Sequence, residues 1–273
     1  MKKAGAILFC AAIGVCLNAA NPLPVPLGTA SSYAVLGGST VTNTGPTVIS
    51  GDLGLSPGTS LTGFPPGSVV GGSIHVNDAP AMQAQNDLTT AYNDAAGRLL
   101  PTTLSGDIGG QTLFPGVYKS SSSLMITGSV VLDGQGNSNA VFIFQIGSTL
   151  TTISGSHVIL INGASANNVF WQVGASATLG TGSSFQGSIL ALTSITVTTG
   201  ANILGRMLAR NGAVTLDTNT ITGPTSINAP PPGGGGPPSG VPSPSSVILV
   251  AIGLVCVALY QTRERLLARL RKD

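Results

Sequence analysis

The candidates for acid–base or metal chemistry in this chain are four of its aspartates, Asp52, Asp107, Asp133 and Asp217, and its two histidines, His75 and His157. A carboxylate pair would suit glycan hydrolysis on a β-helix, and a histidine pair with further ligands would suit zinc. The spacing argues against both. Each Asp stands beside Gly or in a turn-like context, two of them in a repeated phrase, Ser50-Gly51-Asp52-Leu53-Gly54 and Ser105-Gly106-Asp107-Ile108-Gly109. Asp in such company closes turns with its own carboxylate. The histidines lie 82 positions apart, and Cys10, Cys16 and Cys256 all fall in apolar terminal stretches, so Cys-ligated metals and thiol catalysis are excluded from the body. Asp133-Gly134-Gln135-Gly136-Asn137 lacks the acidic residues and distal Glu of a calcium loop. The expectation is a protein without enzymatic activity, with no catalytic residue, metal or cofactor.

Hydroxyl groups are the more regular feature. A Ser/Thr-Gly-x pattern begins at Thr127, Ser154, Thr181 and Thr199, with Thr218-Asn219-Thr220-Ile221 as a degenerate copy, at intervals of 27, 27, 18 and 19 residues. An interval of 18 or 19 fits one solenoid coil of three short strands, each residue rising about 3.3 Å. The longer intervals fit the same coil with an added loop. Val141 to Phe144, Val158 to Ile161, Val169 to Val173 and Ile189 to Leu192 are compact β-branched or aromatic runs bounded by turn residues. Trp171 and Phe142, Phe144, Phe170 and Phe185 belong to strand cores. Position by position, Gly at bends and Thr on exposed strands are what any solenoid needs.

One segment must be helical. From Asp78 to Arg98 the first Gly is Gly97, and Met82, Gln85, Leu88, Ala91 with Tyr92, Ala95 and Leu99 recur at three- and four-residue steps. Asn77 or Asp78 can cap this helix, Pro80 suits its first turn and Pro101 lies just past its end. A lone helix cannot bury its stripe, so it is expected to lie along one side of the solenoid.

The charge is distributed as the ends require. Only 7% of the 273 residues are charged, and the formal +2 comes mostly from Lys2, Lys3, Arg263, Arg265, Arg269, Arg271 and Lys272. Between Ser31 and Asn228 four cations face seven Asp, giving −3, which excludes a basic field for nucleic acid. Residues 1–20, Lys2-Lys3 then an apolar stretch then Ala19-Ala20, read as a secretory signal peptide, with an uncleaved anchor as the alternative. Residues 21–30 form an N-terminal lead and 31–228 the solenoid body, its helix over about 78–98. Residues 229–246 are a Pro/Gly-rich linker. Residues 247–260 are uncharged and shorter than the about 20 residues a spanning helix needs, a gap that snorkelling Arg stems can close. The basic tail, 261–273, is expected to be cytoplasmic. Val241-Pro242-Ser243-Pro244-Ser245-Ser246, the apolar run and the arginines also resemble PEP-CTERM sorting signals, removed by a membrane protease during export. Ser243 stands where that signal usually has Glu, so a retained transmembrane anchor competes with a processed signal.

The body resembles the microbial ice-binding protein family of discontinuous β-solenoids. The residues that carry the resemblance are Ser50 to Gly67, Asp87 to Gly97, Thr112 to Tyr118, Leu132 to Thr152, Asn167 to Ala191 and Gly205 to Thr222, which together span most of Ser31 to Gly223. The resemblance implies a mainly β, right-handed solenoid of triangular cross-section with one long α-helix alongside. It also implies an N-terminal coil packed against coils formed later, and ice bound through one flat face. Several members carry Thr-Ala/Gly-x-Thr/Asn on that face. Thr199-Gly200-Ala201-Asn202 matches it in full, Thr181-Gly182-Ser183-Ser184 departs at its last place, and Ser154 with His157 and Thr127 with Val130 depart further.

The resemblance makes Thr127, Ser154, His157, Thr181, Ser184, Thr199, Asn202, Thr218 and Thr220 the candidate ice-contact residues. Threonine suits the task physically: it is stiff at χ1, so it loses little rotamer freedom on binding, and it presents a methyl and a hydroxyl in fixed places. The expected partners are ice or ordered water, the membrane through the C-terminal helix, and an export-sorting protease. The protein is expected at the cell surface or released from it, as a monomer. A surface structural or adhesive solenoid without ice affinity is the alternative.

Overall fold

The computed structural model describes residues 21–104 and 106–223. The signal segment 1–20, Ser105, the linker 229–246, the apolar run 247–260 and the tail 261–273 lie outside the described residues. Among the described residues, no helix is long and apolar enough to cross a membrane.

The strands pair in parallel and wind into three-sided coils. One side is a ladder of short strands, in spatial order Ser60–Thr62, Thr40–Thr44, Val214–Asp217, Ile195–Val197, Ala177–Leu179, Leu150–Thr152, Leu124–Ile126 and Gly106–Asp107. We call it the threonine face. The next side, the back face, includes Ser129–Asp133, His157–Ile161 and Thr220–Thr222. The third, the helical face, includes Tyr33–Gly37, Gly116–Ser120, Phe142–Ile146 and Val169–Val173. Ser184–Ala191 and Asn202–Ala209 run unbroken from back face to helical face. They turn the vertex at Gly187 and Gly205, whose φ of +109° and +157° no side chain tolerates well.

The coil order is discontinuous. Thr40–Thr44 pairs with Val214–Asp217 on one side and Ser60–Thr62 on the other, so the first two coils stack beyond the last. After Ile74–Val76 the chain enters α1 (Ala79–Ala96) and re-enters the solenoid at Thr102–Thr103, at the opposite end of the ladder. From there the coils wind back. In register, Leu124, Leu150, Ala177, Ile195 and Val214 succeed one another, and the 27-residue coil carries its surplus after His157–Ile161, where the 3-10 turn Ala166–Asn168 precedes Val169–Val173.

Asp78 caps α1, its carboxylate accepting from the Ala81 N–H at 3.0 Å, and Pro80 sits in the first turn. The buried stripe is Ala81, Ala84, Leu88, Ala91, Tyr92 and Ala95. Met82 and Leu99, expected on it, are instead exposed. Alanine wins because a helix laid flat on a sheet approaches closest where its side chains are smallest, and Leu36, Ile143, Phe170, Leu190 and Leu208 fill the space opposite. Polar bonds add direction. Gln145 Nε2 donates to the carbonyls of Ala95 and Arg98 at 2.9 and 2.8 Å, serving the open C-terminal end of the helix. Gln85 Nε2 donates to Gly37 and Ala209 at 2.8 and 3.1 Å.

Inside the coils, Tyr118, Phe144 and Trp171 stack at centroid distances of 5.3 and 3.9 Å, and Phe185 tilts against Trp171. The indole N–H finds the Gln186 carbonyl at 3.1 Å. This aromatic ladder holds the sides in fixed relation without a disulfide.

Candidate functional site

The threonine face alternates inward aliphatics with outward hydroxyls. Leu150, Ala177, Ile195 and Val214 point into the core, and the residue after each is Thr151, Thr178, Thr196 and Thr215. Thr42 pairs with Thr215, and Thr62 with Thr42, so six threonines from six neighbouring coils stand in one unbroken row. At a ladder spacing of about 4.8 Å the row spans about 24 Å. Thr62, Thr178 and Thr215 are exposed and the other three half-buried. The Thr42 hydroxyl donates to that of Thr215 at 3.4 Å. A second hydroxyl row precedes it, where Thr149 Oγ1 donates to Ser123 Oγ at 2.8 Å and Ser176 and Ser194 each accept from the next coil's backbone.

Of the residues expected from the sequence, Ser154, Thr181 and Thr199 sit at the vertex where the threonine face turns into the back face. Each precedes a glycine with φ between +65° and +70°, and the residue after that glycine, Ser156, Ser183 or Ala201, is buried. His157, Ser184, Asn202 and Thr220 fall in one register row, the first outward row of the back face, so they border the threonine face without belonging to it.

Two assignments need correction. Ser129, and not the buried Val130, shares the register of His157, because the first vertex is shorter. Asn202 pairs with Thr220 and Ile203 with Ile221, which moves the degenerate copy back by one residue: Asp217 takes the threonine place and Thr218, at φ +52°, the glycine place. The Thr199 hydroxyl donates to Asp217 Oδ2, and the Thr218 hydroxyl to Oδ1 at 3.0 Å. Thr127 likewise donates to Asp107 Oδ2.

The row of six was not among the expected residues. A signal for it existed: a Thr preceded by an aliphatic residue, three places before each of Ser154, Thr181, Thr199 and Thr218.

Charge is nearly confined to other surfaces. Among the seven Asp and four cations of the body, only Asp107 and Asp217 lie on the threonine side. Burial works to raise the Asp107 carboxyl, but hydrogen bonds from Thr127 and the Gly109 N–H outweigh it and hold the group below the ordinary carboxylate range. On the helical side the hydroxyl and N–H of Thr29, with Gln83, lower Asp87 in the same way. Arg206 is buried, donates to the Ser31 carbonyl at 2.8 Å, and is brought down by desolvation to about 10.

The carboxylates expected to be structural serve as joints. Asp52 accepts from the Ser73 N–H, and Asp133 from the Gln135 N–H and the Asn162 amide. The repeated phrase containing Asp52 and Asp107 does not mark equivalent places, since Asp52–Leu55 pairs with Tyr33–Gly37 on the helical side and Gly106–Asp107 lies on the threonine side. His75 Nδ1 meets Asp78 Oδ2 at 2.8 Å. No group of three or more His, Cys, Asp or Glu side chains gathers among the described residues.

The family model described as ice-binding-like matches residues 35–222. The chain belongs to the ice-binding-like family. An ice-binding protein from Nostoc sp. (strain HG1) is 53% identical over 242 residues, covering 88% of this chain and 87% of that one. One from Flavobacterium frigoris (strain PS1) is 40% identical over 214 residues, covering 73% and 76%. The crystal structure of an ice-binding protein from an Antarctic biological consortium aligns with a TM-score of 0.72 at 56% identity, covering 74% of this chain and 91% of that one. Family membership accords with the resemblance read from the sequence and with the observed coil order.

Proposed function

We propose that this protein binds ice through the threonine face, without catalysis. The observation that carries the reading is the row Thr151, Thr178, Thr196, Thr215, Thr42 and Thr62, rigid in spacing and free of ionised groups along its length. Methyls at fixed intervals favour an ordered water layer over tight hydration. The hydroxyls between them anchor that layer. A charged group would hold water more strongly and in its own geometry. The candidates at the vertex, Ser154, Thr181 and Thr199, together with Ser184 and Asn202, extend this surface around its edge. Adsorption along such a face restrains growth of the crystal beneath it.

We propose further that the protein is exported and tethered at the cell surface, a reading supported by the amino-acid sequence of its two terminal segments alone. Mass spectrometry of the native C-terminus distinguishes a processed sorting signal from a retained anchor.

The test of ice binding is crystal growth in the presence of the purified protein and of Thr178→Tyr/Thr196→Tyr. The unmodified protein is expected to shape crystals and inhibit recrystallisation, and the double variant to fall near the buffer baseline with its melting temperature kept. No shaping by the unmodified protein sinks the reading and leaves an adhesive solenoid.

A further inference from the structure

The geometry points to Asp217 as the residue that limits the ice-contact surface; we propose that it is a charged interruption whose removal extends the competent face. This rests on the ice-binding reading above. Thr196 pairs with Thr215 and Val197 with Leu216, while Thr44 pairs with Asp217. Just past the strands, the backbone carbonyls of Thr181, Thr199, Asp217 and Thr44 accept in turn from the N–H groups of Gly155, Gly182, Gly200 and Thr218, so this row sets a carboxylate between Thr199 and Thr44. Asp217 is half-exposed and two residues from Thr215, in the middle of the six-threonine stretch. Asp107 is peripheral by comparison, since it opposes Met125 beyond the row.

The carboxylate has a second effect. Thr199 and Thr218 both turn their hydroxyl protons toward it, so each offers the water layer lone pairs and no donor. Thr199 is the first residue of the fully matching copy Thr199-Gly200-Ala201-Asn202. Its hydroxyl is thus committed inward along the surface by a neighbour one coil away.

The carboxylate does not hold the vertex together. Four residues separate Leu216 from Ile221, where five separate Val197 from Ile203, and buried Asn219 braces the shortened turn. Asn219 Oδ1 accepts from the Asp217 N–H at 2.7 Å, its Nδ2 donates to the Thr198 carbonyl at 2.8 Å, and its own N–H donates to Thr47 Oγ1 at 3.0 Å. The backbone carbonyl of Asp217 accepts from Gly200. All these bonds survive replacement of the side chain. A threonine at 217 continues the row from Thr199 to Thr44 and releases the Thr199 hydroxyl from the carboxylate.

The experiment measures thermal hysteresis at matched concentration, with melting temperature by circular dichroism, for the unmodified protein, Asp217→Thr, Asp217→Asn and Asp52→Asn. Hysteresis is expected to rise most in Asp217→Thr, less in Asp217→Asn, and to stay level in Asp52→Asn, which removes the same net charge from the helical side. A structural role for the carboxylate would instead lower melting temperature and hysteresis together. Should Asp217→Thr fail to fold, the near-isosteric Asp217→Asn decides. Hysteresis that neither 217 variant raises overturns the proposal alone. Absence of hysteresis in the unmodified protein overturns the ice-binding reading and this one with it.

Discussion

The threonine face and the back face are adjacent sides of the same coils, built on the same ladder and backed by the same core, yet they present different surfaces. The threonine face is made largely of three- and four-residue strands, each with one principal outward residue, and that residue is Thr in six coils running. Back-face strands, several of them longer, carry outward positions that hold Ile159, Ile161, Gln186, Leu204 and Val70 in no repeated type. The ladder thus supplies spacing to both faces, and only side-chain identity makes one of them a periodic array. The helical face adds a third case, in which outward Leu36, Ile143, Phe170, Leu190 and Leu208 are covered by α1.

The largest effect should come from what the faces share. Trp171 is fully buried between Phe144 and Phe185, and Trp171→Ala should cost about 3–5 kcal/mol by denaturant unfolding, as large-to-small core changes of this kind do. Both faces should then lose order together. Retention of hysteresis with unchanged stability would mean that the aromatic ladder does not set the spacing of the threonine row.

A smaller effect distinguishes the faces. Thr181→Tyr/Thr199→Tyr places bulk at the vertex and should reduce hysteresis partly, less than the change at Thr178 and Thr196. Leu204→Tyr, on the back face, should leave it unchanged. Equal losses from all three would contradict a face-specific site.

The coil intervals were legible because each Thr-Gly turn marks one circuit and parallel register forces circuits to repeat. The helix was legible from its cap and its lack of glycine. What the spacing hid is the length of each vertex: three residues lie between Ile126 and Val130, five between Val197 and Ile203, and four between Leu216 and Ile221. A count along the chain therefore placed Thr218 where Asp217 stands. The row of six escaped because a single Thr between two aliphatics, as in Ile195-Thr196-Val197, has the alternation of any half-buried strand. Nothing local says that the outward residue repeats in space. The three- and four-residue steps put Met82 on the buried stripe, whereas closeness to the sheet selects its neighbour Ala81.

Acid should separate stability from the contact surface. Asp87 and Asp107 have folded pKa values below the ordinary carboxylate range, so their stabilising contribution is whole above the unfolded value of about 3.9 and is lost as pH falls through the folded values. The six threonines carry no titratable group. Melting temperature should hold from neutral pH to about 4 and decline below it, with a shallower decline in Asp87→Asn. Hysteresis should persist for as long as the protein remains folded. A loss of hysteresis well above that range, with the fold intact by circular dichroism, would mean that ice contact depends on a charged side chain and reopen the contrast between the faces.

The smallest expected effect bears on the vertex itself. Gly155, Gly182 and Gly200 adopt left-handed backbone at the same place in successive coils, and the space around an added Cβ is open at each, so conformation alone selects glycine there. Thr218 holds that conformation in the shortened turn at φ +52°. For an L-residue this costs about 1–2 kcal/mol, against which its hydroxyl gains a hydrogen bond to Asp217 worth about 1 kcal/mol. Thr218→Gly should therefore leave global stability within about 1 kcal/mol of the unmodified protein, on the stabilised side, and leave hysteresis unchanged. A substantial loss of hysteresis would return Thr218 to the contact surface, and would mean that ice reads the vertex as closely as the row of threonines beside it.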